Sequence, residues 1–158
     1  MRWWLAALAW VALAGSVRAE APLEFRISLG ATSYRQGQAI PCQMELRNVS
    51  PRPLRVNGRL LVNWPNPSPH EVFFEVTGPR GYLLPFQLLV RAGDPLDEDY
   101  LLLEPGESTR YECDLAECFR IQSPGLYRLQ AVYENVSGGE EVWSGRLRSN
   151  PLEFTLVE

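Results

Sequence analysis

After residue 22 the chain is dominated by an alternation of apolar and polar residues with a period of two. The stretches that show it best are 23–29 (LEFRISL), 39–47 (AIPCQMELR) and 151–157 (PLEFTLV). Successive side chains of a strand point to opposite faces, so each stretch would form a strand with one buried and one solvated face. No stretch in this part of the sequence repeats its apolar residues convincingly at helical spacing. The pattern therefore predicts an all-β protein.

Turn-forming residues separate the alternating stretches at intervals of about ten residues. They occur in 34–38 (YRQGQ), 48–53 (NVSPRP), 104–108 (EPGES) and 123–125 (SPG). The chain also contains 13 prolines, and proline is excluded from the central strands of sheets. Short strands with regular turns are typical of an antiparallel sandwich. We expect seven to nine strands in one domain over 20–158.

The segment SPGLYRLQAVY at 123–133 favours an immunoglobulin-like fold among the possible sandwiches. Gly125 followed by Tyr127 at the start of a strand has the spacing of a tyrosine corner, in which the tyrosine hydroxyl bonds back to the backbone. Antibody domains place a bridging cysteine two residues after this tyrosine, where this chain has Leu129. Cys42 therefore lacks the usual partner across the sheets. We predict an immunoglobulin-like antiparallel β-sandwich without its inter-sheet disulfide.

Residues 1–19 have the layout of a secretory signal peptide. Arg2 precedes an apolar run from Trp3 to Ala14, and small residues follow at the expected cleavage positions. The run is shorter than the roughly 20 apolar residues of a membrane-spanning helix. We therefore expect cleavage after Ala19, no membrane anchor after that cleavage, and a secreted or periplasmic location. Such a compartment is oxidising and permits disulfides.

The charge of the chain argues against nucleic acid as a partner. The formal net charge is −4, and arginine supplies all 15 basic residues because the sequence contains no lysine. Binding to a phosphate backbone needs clustered cations that displace counterions. The sequence shows no basic stripe of this kind, so we expect no binding to nucleic acid.

Residues 81–133 contain an LxPGES turn, a DL pair followed by an aromatic residue, and a GxYxL strand. The residues that form these features are Leu103, Pro105, Gly106, Glu107, Ser108, Asp114, Leu115, Phe119, Gly125 and Tyr127. In these features the segment resembles the β-sandwich domain that precedes the catalytic domain of deuterolysin-type (aspzincin) zinc proteases. The HExxH motif of the protease domain is absent, and His70 is the single histidine. The resemblance thus implies a stand-alone accessory module rather than a protease.

The sequence YECDLAEC at 111–118 is the pattern most suggestive of chemistry. Zinc and redox sites usually have two residues between their cysteines, whereas four separate Cys113 from Cys118. We therefore predict no metal site and a tight helical turn in DLAECF. Three cysteines allow one intramolecular bridge, and Cys113–Cys118 is the preferred pair. Cys42–Cys113, on neighbouring strands, is the alternative, since a disulfide requires Cα atoms within about 7 Å.

The loop GDPLDEDY at 93–100 suggests a metal site more weakly. Its acidic residues are Asp94, Asp97, Glu98 and Asp99. Calcium favours oxygen-rich loops, but the spacing is not that of an EF-hand. We expect a solvated loop, with calcium as the alternative.

His70 beside Glu71 is the one place where an imidazole adjoins a carboxylate. Catalysis would also need a nucleophile and an orienting group, and the sequence nominates neither. We therefore expect a surface histidine at a strand edge, and we predict no catalytic residue and no cofactor.

The segment GYLLPFQLLV at 81–90 has more apolar residues than one half-solvated strand requires. We predict an exposed interaction patch that includes Tyr82, Phe86 and Trp143. Packing into the core, or a crossover between the sheets, is the alternative, because sandwiches also cover their open ends with apolar residues.

These observations favour an exported, non-enzymatic module that binds an unidentified protein. A protease inhibitor that presents loops 63–69 and 134–139 is the second hypothesis, because both loops could enter an active site. A small hydrolase is the third, and the single histidine makes it the weakest.

Overall fold

The computed structural model describes residues 21–64, 71–88, 90, 93–136 and 138–158. This part of the chain forms ten strands, a 3₁₀ turn at Asp97–Asp99 and a one-turn helix. The strands are β1 (Leu23–Leu29), β2 (Ser33–Arg35), β3 (Pro41–Asn48), β4 (Leu54–Asn57), β5 (Val72–Thr77), β6 (Tyr100–Leu103), β7 (Ser108–Asp114), β8 (Gly125–Asn135), β9 (Gly145–Arg148) and β10 (Leu152–Val157). The helix, α1, spans Leu115–Cys118 between β7 and β8. The predicted helical turn in DLAECF is thereby confirmed.

The strands form two facing sheets and a small third one. The first sheet has the order β1-β3-β7, and the second has the order β2-β10-β8-β5, with β9 also paired to β8. In immunoglobulin folds, strands A, B and E share one sheet and C, F and G the other. Strands β1, β3 and β7 take the first set of places, and β5, β8 and β10 take the second. Strands β4 and β6 pair separately.

The core lies between the two main sheets and contains the apolar face of each alternating stretch. Phe25 of β1 packs on Tyr133 of β8 with ring centroids 5.8 Å apart. Tyr127 of β8 stacks on Phe154 of β10 at 5.1 Å. Both rings of each pair are buried, as the period of two predicts. The all-β sandwich is confirmed.

Two details of the sandwich differ from the sequence-based expectation. The described residues form ten strands rather than seven to nine, and β2 pairs with β10 in parallel rather than antiparallel. Strand β2 has only three residues. A strand of this length is too short to show a period of two, so the alternation could not reveal it.

Tyr127 bonds back to the turn that precedes β8. Its hydroxyl donates to the Ser123 carbonyl oxygen at 2.8 Å and accepts from the Ser123 N–H at 3.2 Å. Gly125 between them has φ +132°, and a Cβ there would lie 2.8 Å from a Pro79 side-chain atom. The arrangement has the hydrogen bond of a tyrosine corner. Burial raises the pKa of the Tyr127 hydroxyl.

The outer edge of β1 is closed by a side chain instead of a strand. The Asn150 amide donates to the Ile27 carbonyl oxygen and accepts from the Ile27 N–H, both at 3.0 Å. These are the two bonds that a neighbouring strand residue would make. One side chain therefore satisfies the edge of β1 at this residue.

A buried ion pair holds the connection between β4 and β5. Glu71 is 4% exposed, and its Oε1 accepts from Arg59 Nε at 2.7 Å and from a second guanidinium nitrogen. Glu71 Oε2 accepts from the Leu61 N–H at 2.9 Å. Leu60, between these partners, has φ +49°, a strained conformation for a non-glycine residue. The hydrogen bonds of Arg59 and Leu61 with Glu71 hold Leu60 in this conformation.

None of the helices in the described ranges is long and apolar enough to cross a membrane.

Candidate functional site

The outer edge of β5 is covered at both ends and open between them. At its start, the Val72 N–H donates to Leu61 O at 3.0 Å and Val72 O accepts from the Asn63 N–H at 2.8 Å. Near its end, Val76 O accepts from the Leu84 N–H at 2.8 Å. Alternate residues of a strand direct their backbone groups to the same side, so Phe74 also faces this edge. Within the described ranges, no backbone group bonds Phe74 there.

An apolar groove of about 500 Å³ lies over this opening. We call it the aromatic groove. It is lined by Trp64, Phe73, Phe74, Glu75, Leu83, Leu84, Pro85, Phe86, Phe119 and Arg146. Its volume falls within the range of about 300–1,000 Å³ that is typical of ligand sites.

The walls of the aromatic groove come from segments that are far apart in sequence. Phe86 and Phe119 meet edge to face with centroids 5.6 Å apart and form one wall. Trp64, 46% exposed, and Leu83, 67% exposed, leave large apolar surfaces in solvent. Tyr82, 74% exposed, stands next to Leu83 in the chain. Exposed apolar clusters of this kind mark interaction sites more often than scattered single residues do.

Two kinds of polar group accompany the apolar walls. The Phe74 N–H and C=O supply one donor and one acceptor at the floor. The Arg146 guanidinium lies 5.4 Å from the centre of the Phe73 ring, and in the part of the chain that the structure describes no carboxylate pairs with it. The nearby Glu75 already binds Arg148 at 2.9 Å. The groove therefore offers a cation and a backbone amide to a ligand.

The three residues of the predicted interaction patch do not all lie together in the structure. Phe86 forms a wall of the aromatic groove, and Tyr82 is exposed beside it. Trp143 does not line the aromatic groove. Its ring is half-buried and stacks on Tyr133 at 5.8 Å, and its backbone N–H donates to Arg55 O at 2.8 Å. Trp143 therefore belongs to the packing at the end of β8 and not to the aromatic groove.

Sequence reasoning missed Trp64 and Arg146. The sequence indicates loop 63–69 only as a loop that could enter a protease, and it gives no separate signal for Trp64 as a ligand contact. Arg146 follows Phe73 by more than seventy residues in the sequence. Only the pairing of both β5 and β9 with β8 brings these two residues together, and the sequence carries no signal for it.

The three cysteines lie together at one end of the first sheet. Cys42 of β3 is directly opposite Cys113 of β7, and Cys113 packs against the core cluster that contains Cys118 of α1. The interaction of the two thiols raises the pKa of Cys113 and lowers that of Cys118. All three are thiols in the structure.

The register favours the Cys113–Cys118 pair over the alternative. The Leu115 N–H donates to Ile40 O at 3.0 Å, which makes this a hydrogen-bonded pair of the β3–β7 ladder. Cys42 and Cys113, two residues further along the ladder, also form a hydrogen-bonded pair. Side chains are farther apart in this class than in the non-hydrogen-bonded one, whereas a disulfide needs Cβ atoms about 3.5–4.5 Å apart. A Cys42–Cys113 bridge would therefore require the backbone to move.

The buried Cys42 thiol makes the free energy of unfolding depend on pH under alkaline conditions. Burial raises its pKa from the ordinary 9.0 to about 12. Between these values the unfolded chain has lost a proton that the folded chain retains, so the free energy of unfolding falls as pH rises. We expect a slope from Cys42 of at most about 1.4 kcal/mol per pH unit. Urea unfolding from pH 8 to 11 should show a shallower decline for Cys42→Ala, and equal slopes would contradict the assignment.

The acidic loop at 93–100 is the other segment in which the sequence suggests a metal site. Asp97 lies 3.6 Å from Arg55, and Asp99 lies 3.6 Å from Arg59 and accepts from the Leu96 N–H at 2.8 Å. Two of the four acidic side chains of this loop therefore lie beside arginines of the same chain. No group of metal-ligating side chains occurs among the residues with described positions.

Several predictions fall wholly or partly outside the described ranges. His70 and the signal peptide at 1–19 lie outside them altogether. Of loop 63–69 only residues 63 and 64 are described, and loop 134–139 is described except for residue 137.

The chain was compared with known proteins. No protein-family model matches it, and no curated protein does. Among solved structures it is similar to part of a mutant β-glucosidase from Listeria innocua in complex with laminaribiose, with 14% identity and a TM-score of 0.39 over 86% of this chain and 16% of that one. A β-glucosidase from Erythrobacter marinus gives 13% identity and a TM-score of 0.38 over 85% and 15%. The chain thus spans less than a fifth of either glucosidase.

Proposed function

We propose that the protein is an exported, non-enzymatic binding module. Its aromatic groove takes an extended segment of a protein partner that has apolar side chains and a nearby carboxylate. The observation that carries the proposal is the position of the groove, which lies over the open stretch of the β5 edge. Export is inferred from residues 1–19, and the accessory role is inferred from the resemblance of 81–133 to the aspzincin module.

A protein segment fits the polar groups of the aromatic groove. The Phe74 N–H and C=O are complementary to a peptide group, which carries one acceptor and one donor. A partner carboxylate would pair with Arg146 while Phe73 keeps its contact with the same guanidinium, because a guanidinium can stack and donate hydrogen bonds together. A purely hydrocarbon ligand would satisfy none of these groups.

The size and shape of the aromatic groove argue against a second copy of the chain. A stable dimer buries about 800 Å² on each partner, far more than the exposed lining of this groove provides. Its concave form also favours a convex chain segment over the same concave surface on another copy. For the same reason the groove favours a binding module over an inhibitor, whose loops would project into a protease.

Replacement of Leu83 by glutamate should abolish binding of apolar peptides to the protein. The change places a carboxylate on the wall of the groove, where an apolar partner would have to remove its water. An array of short synthetic peptides provides the probe, and we expect the bound peptides to be rich in aromatic and acidic residues. We expect at least a tenfold loss of affinity for the best peptide, since truncation of a central contact commonly costs about 2 kcal/mol.

Leu102→Glu is the matched control, because Leu102 is 61% exposed on β6, away from the groove. It should leave peptide binding unchanged. Arg146→Gln should remove the preference for acidic peptides and keep the preference for aromatic ones. Equal losses from both leucine variants, or self-association that only Leu83→Glu abolishes, would contradict the proposed function.

A further inference from the structure

One wall of the aromatic groove is held by the short helix that carries Cys118. Phe119 directly follows α1, and its N–H donates to Leu115 O at 2.9 Å to close the helical turn. The Cys118 carbonyl oxygen accepts from the Gln87 N–H at 2.8 Å. This bond ties α1 to the segment that contributes Phe86, and the two phenylalanines pack on each other there. The position of Cys118 thus sets the position of both rings.

We propose that Cys113 and Cys118 form a reversible disulfide that fixes α1 and, through Phe119 and Gln87, sets the affinity of the aromatic groove. The inference rests on the proposed function of the groove, since it names the regulation of that site. The two states are a dithiol, with one wall held by a single helical turn, and a disulfide, with the same wall covalently tied to β7.

The surroundings of the two thiols support a bridge between them. Cys113 is held in the β3–β7 ladder and packs against the core cluster that contains Cys118. Cys118 is buried against the core at the end of α1. Asp114 joins the two elements, because its Oδ1 accepts from the Ala116 N–H at 2.9 Å and from the Ile40 N–H at 2.8 Å.

The oxidant is a small-molecule or protein disulfide, such as oxidised glutathione. When the single turn of α1 opens and exposes Cys118, the Cys118 thiolate attacks one sulfur of the oxidant and releases one thiol. The Cys113 thiol then loses its proton, and its sulfur attacks Cys118 in the mixed disulfide and releases the second thiol. The two cysteines lose two electrons and two protons, and the oxidant becomes two thiols. The pKa of Cys42 is raised to about 12, so Cys42 stays protonated and takes no part.

Oxidation should tighten binding to the aromatic groove. A single helical turn has little stability of its own, so in the dithiol form the wall retains freedom that it loses when a peptide binds. The disulfide removes this freedom before binding, and a rigid site binds more tightly than one that must be ordered. Coupling between two sites typically changes affinity at least about fivefold.

The test places the protein in glutathione buffers of graded redox poise. Peptide mapping by mass spectrometry should show a single linkage, Cys113–Cys118, that forms and is reduced reversibly. NMR should show that oxidation shifts the amide signals of Gln87 and Phe119. The best peptide from the array should bind at least about fivefold more tightly to the oxidised protein. Cys118→Ser and Cys118→Ala should bind it equally in all buffers, while Cys42→Ala should respond as the unaltered protein does.

The outcomes separate this inference from the proposed function. Linkage through Cys42, or unchanged Gln87 and Phe119 signals, would overturn the inference even if peptides bind. Equal peptide affinity in both redox states would also overturn it and leave the proposed function standing. If no peptide binds in either state, the proposed function fails, and with it the control of affinity, whatever the amide signals show.

Discussion

Replacement of Arg59 by methionine should lower the free energy of unfolding by about 3 kcal/mol, the lower end of the usual loss for a buried ion pair, because Glu71 is buried while the Arg59 side chain is 23% exposed. Methionine keeps much of the apolar stem but takes two donors away from Glu71 Oε1. The carboxylate would remain buried with the Leu61 N–H as a bonded donor. Urea unfolding at pH 7 measures the loss.

Two further variants test the reason for this loss. Arg128→Met removes an ion pair of similar geometry, Arg128 to Glu153 at 2.7 Å, from the solvent-exposed surface. We expect it to cost less than about 1 kcal/mol. The double variant Arg59→Met with Glu71→Leu should lose less than the sum of its single changes, since it buries no unpaired charge. Similar losses for Arg59→Met and Arg128→Met would show that burial of the pair is unimportant.

Removal of the Tyr127 hydroxyl should lower the free energy of unfolding by about 1–3 kcal/mol, the cost of leaving buried polar groups unsatisfied. In Tyr127→Phe the ring keeps its stacking on Phe154 at 5.1 Å. The Ser123 carbonyl loses its donor and the Ser123 N–H loses its acceptor. The loss of stability therefore reports on the hydroxyl alone. Denaturant midpoints of the two proteins give the measurement.

Tyr111→Phe provides the control for this change, because Tyr111 is 48% exposed on the edge strand β7. Its hydroxyl can exchange a protein partner for water, so we expect no measurable loss. Identical midpoints for Tyr127→Phe and the unaltered protein would mean that the turn before β8 does not depend on the tyrosine corner.

The fold was predictable because strands such as β1 and β10 have one solvated face. Residues 23–29 and 152–157 display the alternation fully, since one side of each strand meets the core and the other meets water. Strand β5 was less evident, because both Phe73 and Phe74 are buried there and a strand covered on both faces loses its period. The parallel pairing of β2 has no local signal, since partners in a sheet are set by tertiary packing.

The candidate site was predictable only in part, for a related reason. Phe86 and Tyr82 lie within one unusually apolar segment, so composition indicated them. The cation at Arg146 and the open backbone at Phe74 arise from which strand lies beside which, and one sequence does not contain that information. Trp143 lies apart from this site, because an aromatic residue near a loop can also cover the end of the core, as Trp143 does by stacking on Tyr133.

The Asn150 amide at the edge of β1 also limits how copies of the protein can aggregate. Sheets of two molecules join when the unpaired backbone groups of one edge meet those of another. At Ile27 both groups are already bonded by a side chain of the same molecule, so an incoming strand would have to displace it before pairing in the middle of β1. Without this amide, both backbone groups of Ile27 would be open to an incoming strand. Asn150 is thus expected to disfavour edge-to-edge pairing of two copies at this residue.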